Sequence, residues 1–221
     1  MLTTKLFTYK YIPARNPPPE EKVLVIFHGL GDSLHGFTWM PPQLGIDSLS
    51  YLLVNAPDDY FGGFSWFDFT GGGTNMGPAI GGIIRSRNLI QGLIKELMDQ
   101  KIASENIILF GFSQGCLMAL DAGLRSEVLL GGICGVSGWL AFQEEYPAKF
   151  SALAKSQKFL ITHGFQDPLL PYALTKAQSQ FLIKEGIDLN FKSYDKDHTI
   201  LPEELMEIKA WLLERSLDKI L

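Results

Sequence analysis

The sequence contains only two cysteines, Cys116 and Cys134, among its 221 residues. Both lie in segments that we predict to be buried, which excludes a disulfide framework and favours reduced thiols. No uncharged apolar run is long enough to cross a bilayer, and residues 1–8 lack the long apolar core of a signal peptide. These absences predict a cytoplasmic protein without an integral membrane segment.

Clusters of basic residues and metal-ligand spacings are missing as well. The formal net charge is −5 at pH 7, whereas a nucleic-acid partner requires a basic surface. The four histidines are scattered, neither cysteine has ligand spacing, and no phosphate loop or dinucleotide fingerprint occurs. We therefore expect no metal, no cofactor and no nucleic-acid partner.

Apolar sequence is plentiful, at 46% of the residues, which is enough to bury a substantial core. Short apolar runs alternate with segments of helical periodicity, and no repeat or interdomain linker interrupts them. The predicted strands are 6–12, 23–27, 51–54, 106–110, 131–136, 158–162 and 189–194, and the predicted helices 80–100, 116–125, 171–184 and 202–217. This order predicts one α/β domain over residues 1–221, with a mostly parallel sheet covered by helices on both faces.

Residues 57–78 are predicted to form a long loop that is rich in glycine and aromatic residues. Loops of this length inside a compact domain tend to be functional. Its glycines, among them Gly71, Gly72 and Gly73, suggest a mobile flap.

The apolar run 106–110 stops at Gly111-Phe112-Ser113-Gln114-Gly115, and a helix-compatible segment follows at once. Glycines on both sides of a serine permit a sharp turn that lifts its hydroxyl above the strand end, at a helix N-terminus that favours negative charge. Ser113 is therefore a predicted nucleophile. The alternative is a serine in an ordinary glycine-flanked turn.

A serine nucleophile requires a base that is itself oriented by an acid. Asp167 and His198 follow successive predicted strands, and functional groups gather at the carboxyl ends of parallel strands. We therefore predict Ser113 as nucleophile, His198 as general base and then acid, and Asp167 as the group that orients the imidazole. The alternative for His198 is a solvated loop histidine.

Other pairings of histidine and acid fit less well. For His163 the only intervening aspartate is Asp121, which lies inside the predicted helix after the elbow. Asp195 and Asp197 remain backup acids, but both stand very close in sequence to the histidine that follows them. His28 and His163 each precede a glycine at a strand end, where a loop-bracing role is the better interpretation.

Acyl transfer also requires hydrogen-bond donors for the developing oxyanion. The backbone N–H of Gln114, directly after the nucleophile, is one predicted donor. The Leu30 N–H is the other, because the glycines at 29 and 31 allow the backbone to turn this amide inward.

Four motifs occur in order: His-Gly-Leu-Gly-Asp-Ser at 28–33, Ser-Trp-Phe-Asp at 65–68, Gly-Phe-Ser-Gln-Gly at 111–115, and His-Gly-x-x-Asp-Pro-Leu-Leu-Pro at 163–171. With them the chain resembles, over nearly its whole length, the phospholipase/carboxylesterase family of α/β-hydrolases, which includes the acyl-protein thioesterases. The resemblance implies an α/β-hydrolase fold without a large lid domain, the triad Ser113, Asp167 and His198, and an oxyanion hole at Leu30 and Gln114. Substrates of the family are carboxylic esters, lysophospholipids and lipid thioesters on proteins.

The chain departs from the family pattern at several positions. Acyl-protein thioesterases carry a longer segment before the Ser-Trp-Phe-Asp motif than the 58–64 segment found here. Cys116 stands where the family usually has a glycine, and Phe37 where it has a tryptophan. The loop 194–198 lacks the usual glycine and is about one residue shorter.

These features predict a serine hydrolase that cleaves carboxylic esters, of small molecules or lipids, through an acyl-enzyme intermediate. The alternatives are a lysophospholipase or acyl-protein thioesterase and, outside enzymes, a ligand-binding α/β-hydrolase module. A peptidase is less favoured because no extra domain restricts peptide access. The candidate walls of an acyl pocket are Leu34, Phe61, Phe64, Trp66 and Trp139. Exposed loop aromatics could equally serve homodimer formation.

Overall fold

The computed structural model describes residues 2–70 and 77–216. The strands are β1 (Tyr9–Ile12), β2 (Val23–Phe27), β3 (Ser50–Val54), β4 (Asp58–Tyr60), β5 (Gly63–Ser65), β6 (Phe69–Thr70), β7 (Gly77–Pro78), β8 (Ile107–Phe112), β9 (Gly132–Val136), β10 (Lys158–Gly164) and β11 (Asp188–Tyr194). The α-helices are α1 (Met40–Leu44), α2 (Ile80–Asp99), α3 (Gln114–Leu124), α4 (Tyr172–Lys184) and α5 (Pro202–Ser216). Short 3₁₀ turns cover Leu34–Phe37, Ser104–Asn106, Gln143–Glu145 and Ala154–Ser156.

The central sheet has seven strands in the order β1-β3-β2-β8-β9-β10-β11. All neighbours are parallel except β1, which pairs antiparallel with β3 at the edge. Every residue of β2, β3 and β9 is buried, which explains why these strands are continuous apolar runs rather than alternating ones. The strand β8, which ends at Phe112 directly before Ser113, lies in the middle of the sheet.

Helices cover both faces of the sheet and enclose two apolar cores. Side chains of α2, α3 and α4, such as Ile94, Leu117 and Leu182, belong to one core. Those of α1 and α5, such as Leu44 and Leu212, belong to the other. The predicted α/β class is thereby confirmed, and the described residues contain no large additional domain.

Most predicted boundaries agree with the structure to within about two residues, the usual uncertainty of element ends. The largest difference for a helix is at α3, which begins at Gln114 rather than at residue 116. The helix starts directly after Ser113, so that no loop separates strand from helix. Within the described residues, no helix has the length and apolar composition needed to cross a membrane.

The prediction of one continuous loop over residues 57–78 was wrong. Strands β4 and β5 form an antiparallel hairpin, and β6 and β7 form a second two-stranded ladder. The hairpin is attached to the loop after β2 by an isolated bridge between Asp32 and Phe64. The glycines at 71–73 lie outside the described residues, so the mobile flap stays a prediction.

Candidate active site

Ser113 occupies a strained turn between β8 and α3, with φ 55° and ψ −116°. A non-glycine residue with positive φ of this kind is uncommon and typical of functional sites. A Cβ on Gly111 would lie 2.1 Å from the Gly115 carbonyl oxygen, and one on Gly115 would lie 2.2 Å from the carbonyl oxygen of Phe27. Both glycines are therefore required by close backbone approach at the turn.

Ser113, His198 and Asp167 form one chain of hydrogen bonds. His198 Nε2 lies 2.9 Å from Ser113 Oγ, and His198 Nδ1 lies 2.7 Å from Asp167 Oδ2. The Asp167 side chain has no exposed surface, whereas that of His198 is 13% exposed. Asp167 therefore orients the imidazole from the interior, with Nε2 directed at the serine.

Asp167 is held by its own loop. The backbone N–H groups of Leu169 and Leu170 both donate to Asp167 Oδ1 at 2.9 Å. Burial raises the pKa of this carboxyl, but the hydrogen bonds from His198, Leu170 and Leu169 outweigh burial, and the net effect lowers the pKa. Asp167 is consequently an anion at neutral pH and can stabilise a protonated imidazole.

Asp121, the acid considered for His163, and Asp195, a backup acid for His198, both have other partners. Asp121 is buried in α3 and pairs with Arg87 and Arg125. Asp195 is exposed and accepts a hydrogen bond from Gln166.

His163 lies near the site in a bracing position. Its Nε2 is 3.0 Å from the Leu170 carbonyl oxygen and 3.5 Å from Asp167 Oδ2. Burial lowers the pKa of His163 despite the hydrogen bond to Leu170. The ring is therefore neutral at pH 7 and supports the loop that carries Asp167.

The loop after β2 leaves the Leu30 amide available. The N–H of Gly31 donates to the Phe64 carbonyl at 2.9 Å, and that of Asp32 donates to the Gly29 carbonyl at 3.3 Å. The Leu30 N–H, by contrast, donates no hydrogen bond to a backbone carbonyl of residues 2–70 and 77–216. Gln114 is the first residue of α3, so its N–H is also without an intrahelical acceptor.

His28 braces the loop that presents Leu30. The Ala56 N–H donates to His28 Nε2 at 3.0 Å, so Nδ1 carries the proton and donates to the Gly29 carbonyl at 2.7 Å. Burial lowers the pKa of His28, which favours this neutral tautomer.

The Gln114 side chain connects the elbow to the Ser-Trp-Phe-Asp motif. Gln114 Oε1 accepts from the Trp66 N–H at 3.0 Å, and Nε2 donates to the Phe67 carbonyl at 2.8 Å. The Trp66 indole N–H donates in turn to the His28 carbonyl at 2.9 Å. This motif therefore acts as a support that joins both predicted oxyanion segments.

The fully buried Cys116 is accommodated by two glycines. A Cβ on Gly135 would lie 2.5 Å from Cys116 Sγ, and one on Gly138 would lie 2.4 Å from Cys116 Cβ. Burial raises the pKa of both Cys116 and Cys134, so these thiols stay protonated and unreactive.

The five predicted pocket residues do not form one wall. Trp66 has no exposed surface and packs against Phe27, which corrects its assignment to an open pocket, and Leu34 is only 4% exposed. Phe61, at the tip of the β4–β5 hairpin, is 97% exposed. Phe64 and Trp139 are partly buried at the edge of the core.

A buried ion pair beside His198 was missed by the sequence reasoning. Lys196 Nζ contacts both carboxylate oxygens of Glu204 at 2.6 and 2.7 Å and donates to the Thr199 carbonyl at 2.6 Å. Neither side chain has any exposed surface. A lysine and a glutamate in polar sequence normally indicate a solvated surface, and only the unusual loop 194–198 gave a signal.

Comparisons with known proteins give a consistent result. A family model described as phospholipase/carboxylesterase matches residues 13–215. A Gibberella zeae protein named acyl-protein thioesterase 1 is 32% identical over 208 residues, covering 86% of this chain and 88% of that protein. A Schizosaccharomyces pombe protein of the same name is 31% identical, covering 86% of this chain and 90% of its own length. The crystal structure of esterase PE8 has a TM-score of 0.84 at 24% identity, covers 94% of this chain and 98% of that chain, and shares the fold.

Proposed function

We propose a catalytic triad for this chain, which belongs to the phospholipase/carboxylesterase family and is a hydrolase of carboxylic esters or thioesters. The triad consists of Ser113, His198 and Asp167. The observation that carries this proposal is the unbroken hydrogen-bond chain from Ser113 Oγ through His198 to Asp167. The strained elbow and the ionised Asp167 support it further.

In the first half-reaction, Ser113 Oγ attacks the substrate carbonyl carbon and its proton passes to His198 Nε2. The developing oxyanion accepts hydrogen bonds from the Leu30 and Gln114 N–H groups. Collapse of the tetrahedral intermediate breaks the bond to the leaving group, which takes the proton from His198. In the second half-reaction, His198 Nε2 takes a proton from a water molecule, which attacks the carbonyl carbon of the acyl-serine. The bond to Ser113 Oγ then breaks, Ser113 takes the proton back from His198, and the carboxylic acid is released.

We propose carboxylic esters as the preferred substrates, and no cofactor takes part in these steps. The support is the short hairpin of β4 and β5 that stands before the Ser-Trp-Phe-Asp motif, because it offers little chain to cover a long acyl group. A second candidate is an acyl-protein thioesterase, which the names of the relatives in Gibberella zeae and Schizosaccharomyces pombe favour. A lysophospholipase is the remaining alternative.

A rate panel on p-nitrophenyl esters from acetyl to palmitoyl, beside matched thioesters, tests this proposal. We expect the highest kcat/KM on short oxygen esters. An optimum on palmitoyl thioesters would move the assignment to an acyl-protein thioesterase. If the folded protein hydrolysed no ester or thioester, the proposal of a catalytic triad would be refuted and a ligand-binding module would be favoured.

We further propose a cytoplasmic enzyme that has no nucleic-acid partner. The net charge of −5 and the two free, buried cysteines support this assignment. A homodimer through exposed loop aromatics such as Phe61 is part of the same proposal, and sedimentation of wild type against Phe61→Ser tests it. A monomer in both samples would remove the dimer.

A further inference from the structure

An open groove begins at His198 and continues to the start of α5. It consists of two adjoining cavities of about 370 and 310 Å³, both lined by Trp39 and Ile200. His198 and Phe112 line the first cavity, whereas Leu205 and Met206 line the second. We call these two cavities the Trp39 groove.

The Trp39 groove is apolar and uncovered. Trp39 is 39% exposed and Met206 is 72% exposed, although both are large hydrophobic side chains. An uncovered apolar strip beside a reactive histidine is typical of a ligand site rather than of an ordinary surface.

The charges around the groove exclude an anionic ligand. Among the described residues that line either cavity, none is a lysine or arginine, and Asp32 supplies a carboxylate. The N-terminus of α5, which would otherwise favour an anion, carries the exposed Glu203 in its first turn, whereas Glu204 there is neutralised by Lys196. A phosphate-bearing group would find no lysine or arginine among the described residues that line the groove.

His198 determines which part of the substrate reaches this groove. Its Nδ1 is held by Asp167, so Nε2 is the atom that accepts the Ser113 proton and returns it to the leaving atom. The leaving group must therefore depart past the imidazole, and the imidazole itself lines the Trp39 groove.

We propose that the Trp39 groove binds the leaving group of the substrate and that this group is a neutral, apolar alcohol or thiol. The inference rests on the proposed function and adds to it the chemistry of the substrate on the leaving side. When the tetrahedral intermediate collapses, the bond from the carbonyl carbon to oxygen or sulfur breaks. The His198 Nε2 proton moves to that atom, and the free alcohol or thiol leaves along the groove.

A series of butyrate esters that differ only in the alcohol tests the proposal. Unbranched alkanols have nearly equal acidity, so kcat/KM along the methyl, propyl and hexyl esters reports binding of the leaving group. Each buried methylene is expected to raise kcat/KM about two- to fourfold. Wild type should therefore hydrolyse hexyl butyrate on the order of 30-fold faster than methyl butyrate by the lower of these factors. It should hydrolyse 1-butyryl-glycerol 3-phosphate more slowly than either.

Met206→Lys places a cation in the groove without touching the triad, and Met98→Lys on α2 is its matched control because Met98 is also an exposed helical methionine. We expect the hexyl-to-methyl ratio to fall at least fivefold in Met206→Lys and to keep its wild-type value in Met98→Lys. Three outcomes would overturn the groove assignment alone. They are equal kcat/KM for all the alkyl butyrates in an active wild-type enzyme, an unchanged hexyl-to-methyl ratio in Met206→Lys, and hydrolysis of the butyrate ester of 1-butyryl-glycerol 3-phosphate that is faster than that of the alkyl butyrates. No hydrolysis of any ester by folded wild type would overturn the proposed function and the groove with it.

Discussion

At Ser113 the peptide backbone adopts a positive φ, which few residues other than glycine tolerate. The neighbouring glycines, which lack a Cβ, leave room for this turn. The glycines at 111 and 115 allow the strand, the turn and α3 to approach within van der Waals distance. Gly63 has a similar role one layer away, because a Cβ there would lie 2.0 Å from the carbonyl oxygen of Gly31. The β4–β5 hairpin is therefore in close backbone contact with the loop that contains the Leu30 amide.

Gly63→Ala should displace the loop after β2 and impair the oxyanion hole. We expect kcat to fall about ten- to a hundredfold, since loss of one oxyanion donor costs about 10²–10³, with a smaller change in KM. Steady-state kinetics on p-nitrophenyl butyrate measures the effect. Gly81→Ala is the control, because a Cβ at that position meets no atom within 4 Å. Wild-type kcat in Gly63→Ala would contradict the link between hairpin and Leu30.

Single residues differ in how far the sequence reveals them. Ser113 is predictable because its motif, its strand and its helix coincide, and Asp167 and His198 follow from the edge of a parallel sheet. Trp66 could not be placed, since a tryptophan in a loop motif is equally compatible with a pocket wall and with the core. Its burial depends on Phe7 and Phe27, which are distant in sequence.

At the scale of elements, a buried ion pair between Lys196 and Glu204 holds the loop between β11 and α5 in place. Lys196 is bonded to Glu204 in the first turns of α5, to the Thr199 carbonyl, and to Ser137 Oγ at 3.2 Å after β9. Thr199 directly follows His198. The pair therefore fixes both sides of the histidine to helix and sheet.

Lys196→Met should leave the buried Glu204 carboxylate without its cationic partner and with only the Leu201 N–H as donor, and should lower the free energy of unfolding by about 3–5 kcal/mol. The double variant Lys196→Met/Glu204→Leu removes both charges, and its stability should lie within about 1 kcal/mol of wild type or above it. Its kcat should still fall about tenfold, because Thr199 has lost its anchor while KM changes little. Urea unfolding and steady-state kinetics measure the two quantities. A stable double variant with wild-type kcat would show that the pair supports folding alone.

The elements themselves were predictable where hydrophobic periodicity was long and clear. The buried strands and the helices α2, α4 and α5 follow from apolar runs and helical spacing. The ladders of two or three residues within 57–78 could not be predicted, because such short strands carry no periodic signal. One of them, the β4–β5 hairpin, pairs with the loop after β2 through the bridge of Asp32 and Phe64, a contact that is distant in sequence.

At the scale of the whole molecule, two buried neutral histidines connect stability to pH. His28 and His163 have pKa values lowered by burial from the ordinary value of 6.5. Between that value and their lowered folded-state values, the unfolded chain binds more protons than the native one. The contribution of these two histidines to stability is therefore present above about pH 6.5 and is lost as pH decreases through this window.

We expect the free energy of unfolding to fall by up to about 1.4 kcal/mol per pH unit for each histidine below pH 6.5. Denaturant titrations at pH 7.5, 6.0 and 5.0 measure this slope. His28→Asn should flatten it, whereas His35→Asn on the exposed surface serves as control. A slope in His28→Asn as steep as that of wild type would contradict the role of a neutral His28. Asp167 contributes in the same direction at lower pH, because its pKa is also lowered in the folded state and its stabilisation is lost as pH falls through that lowered pKa.

The architecture as a whole was the most predictable feature, because alternation of apolar runs and helical segments leaves few arrangements other than a parallel sheet. The α/β-hydrolase fold and the family follow from four motifs in register. The Trp39 groove could not be foreseen, since it brings together the start of α1, the loop of His198 and the first turns of α5.

The central claim is that Ser113, activated by His198 and Asp167, forms a covalent acyl intermediate. Intact-mass spectrometry after treatment with diethyl p-nitrophenyl phosphate, followed by peptide mapping, tests it most directly. We expect one adduct per chain located on Ser113, no adduct in Ser113→Ala, labelling at least a hundredfold slower in His198→Ala, and wild-type labelling in the control Ser156→Ala. An adduct on another residue, or equal labelling of Ser113→Ala while ester hydrolysis continues, would contradict the account.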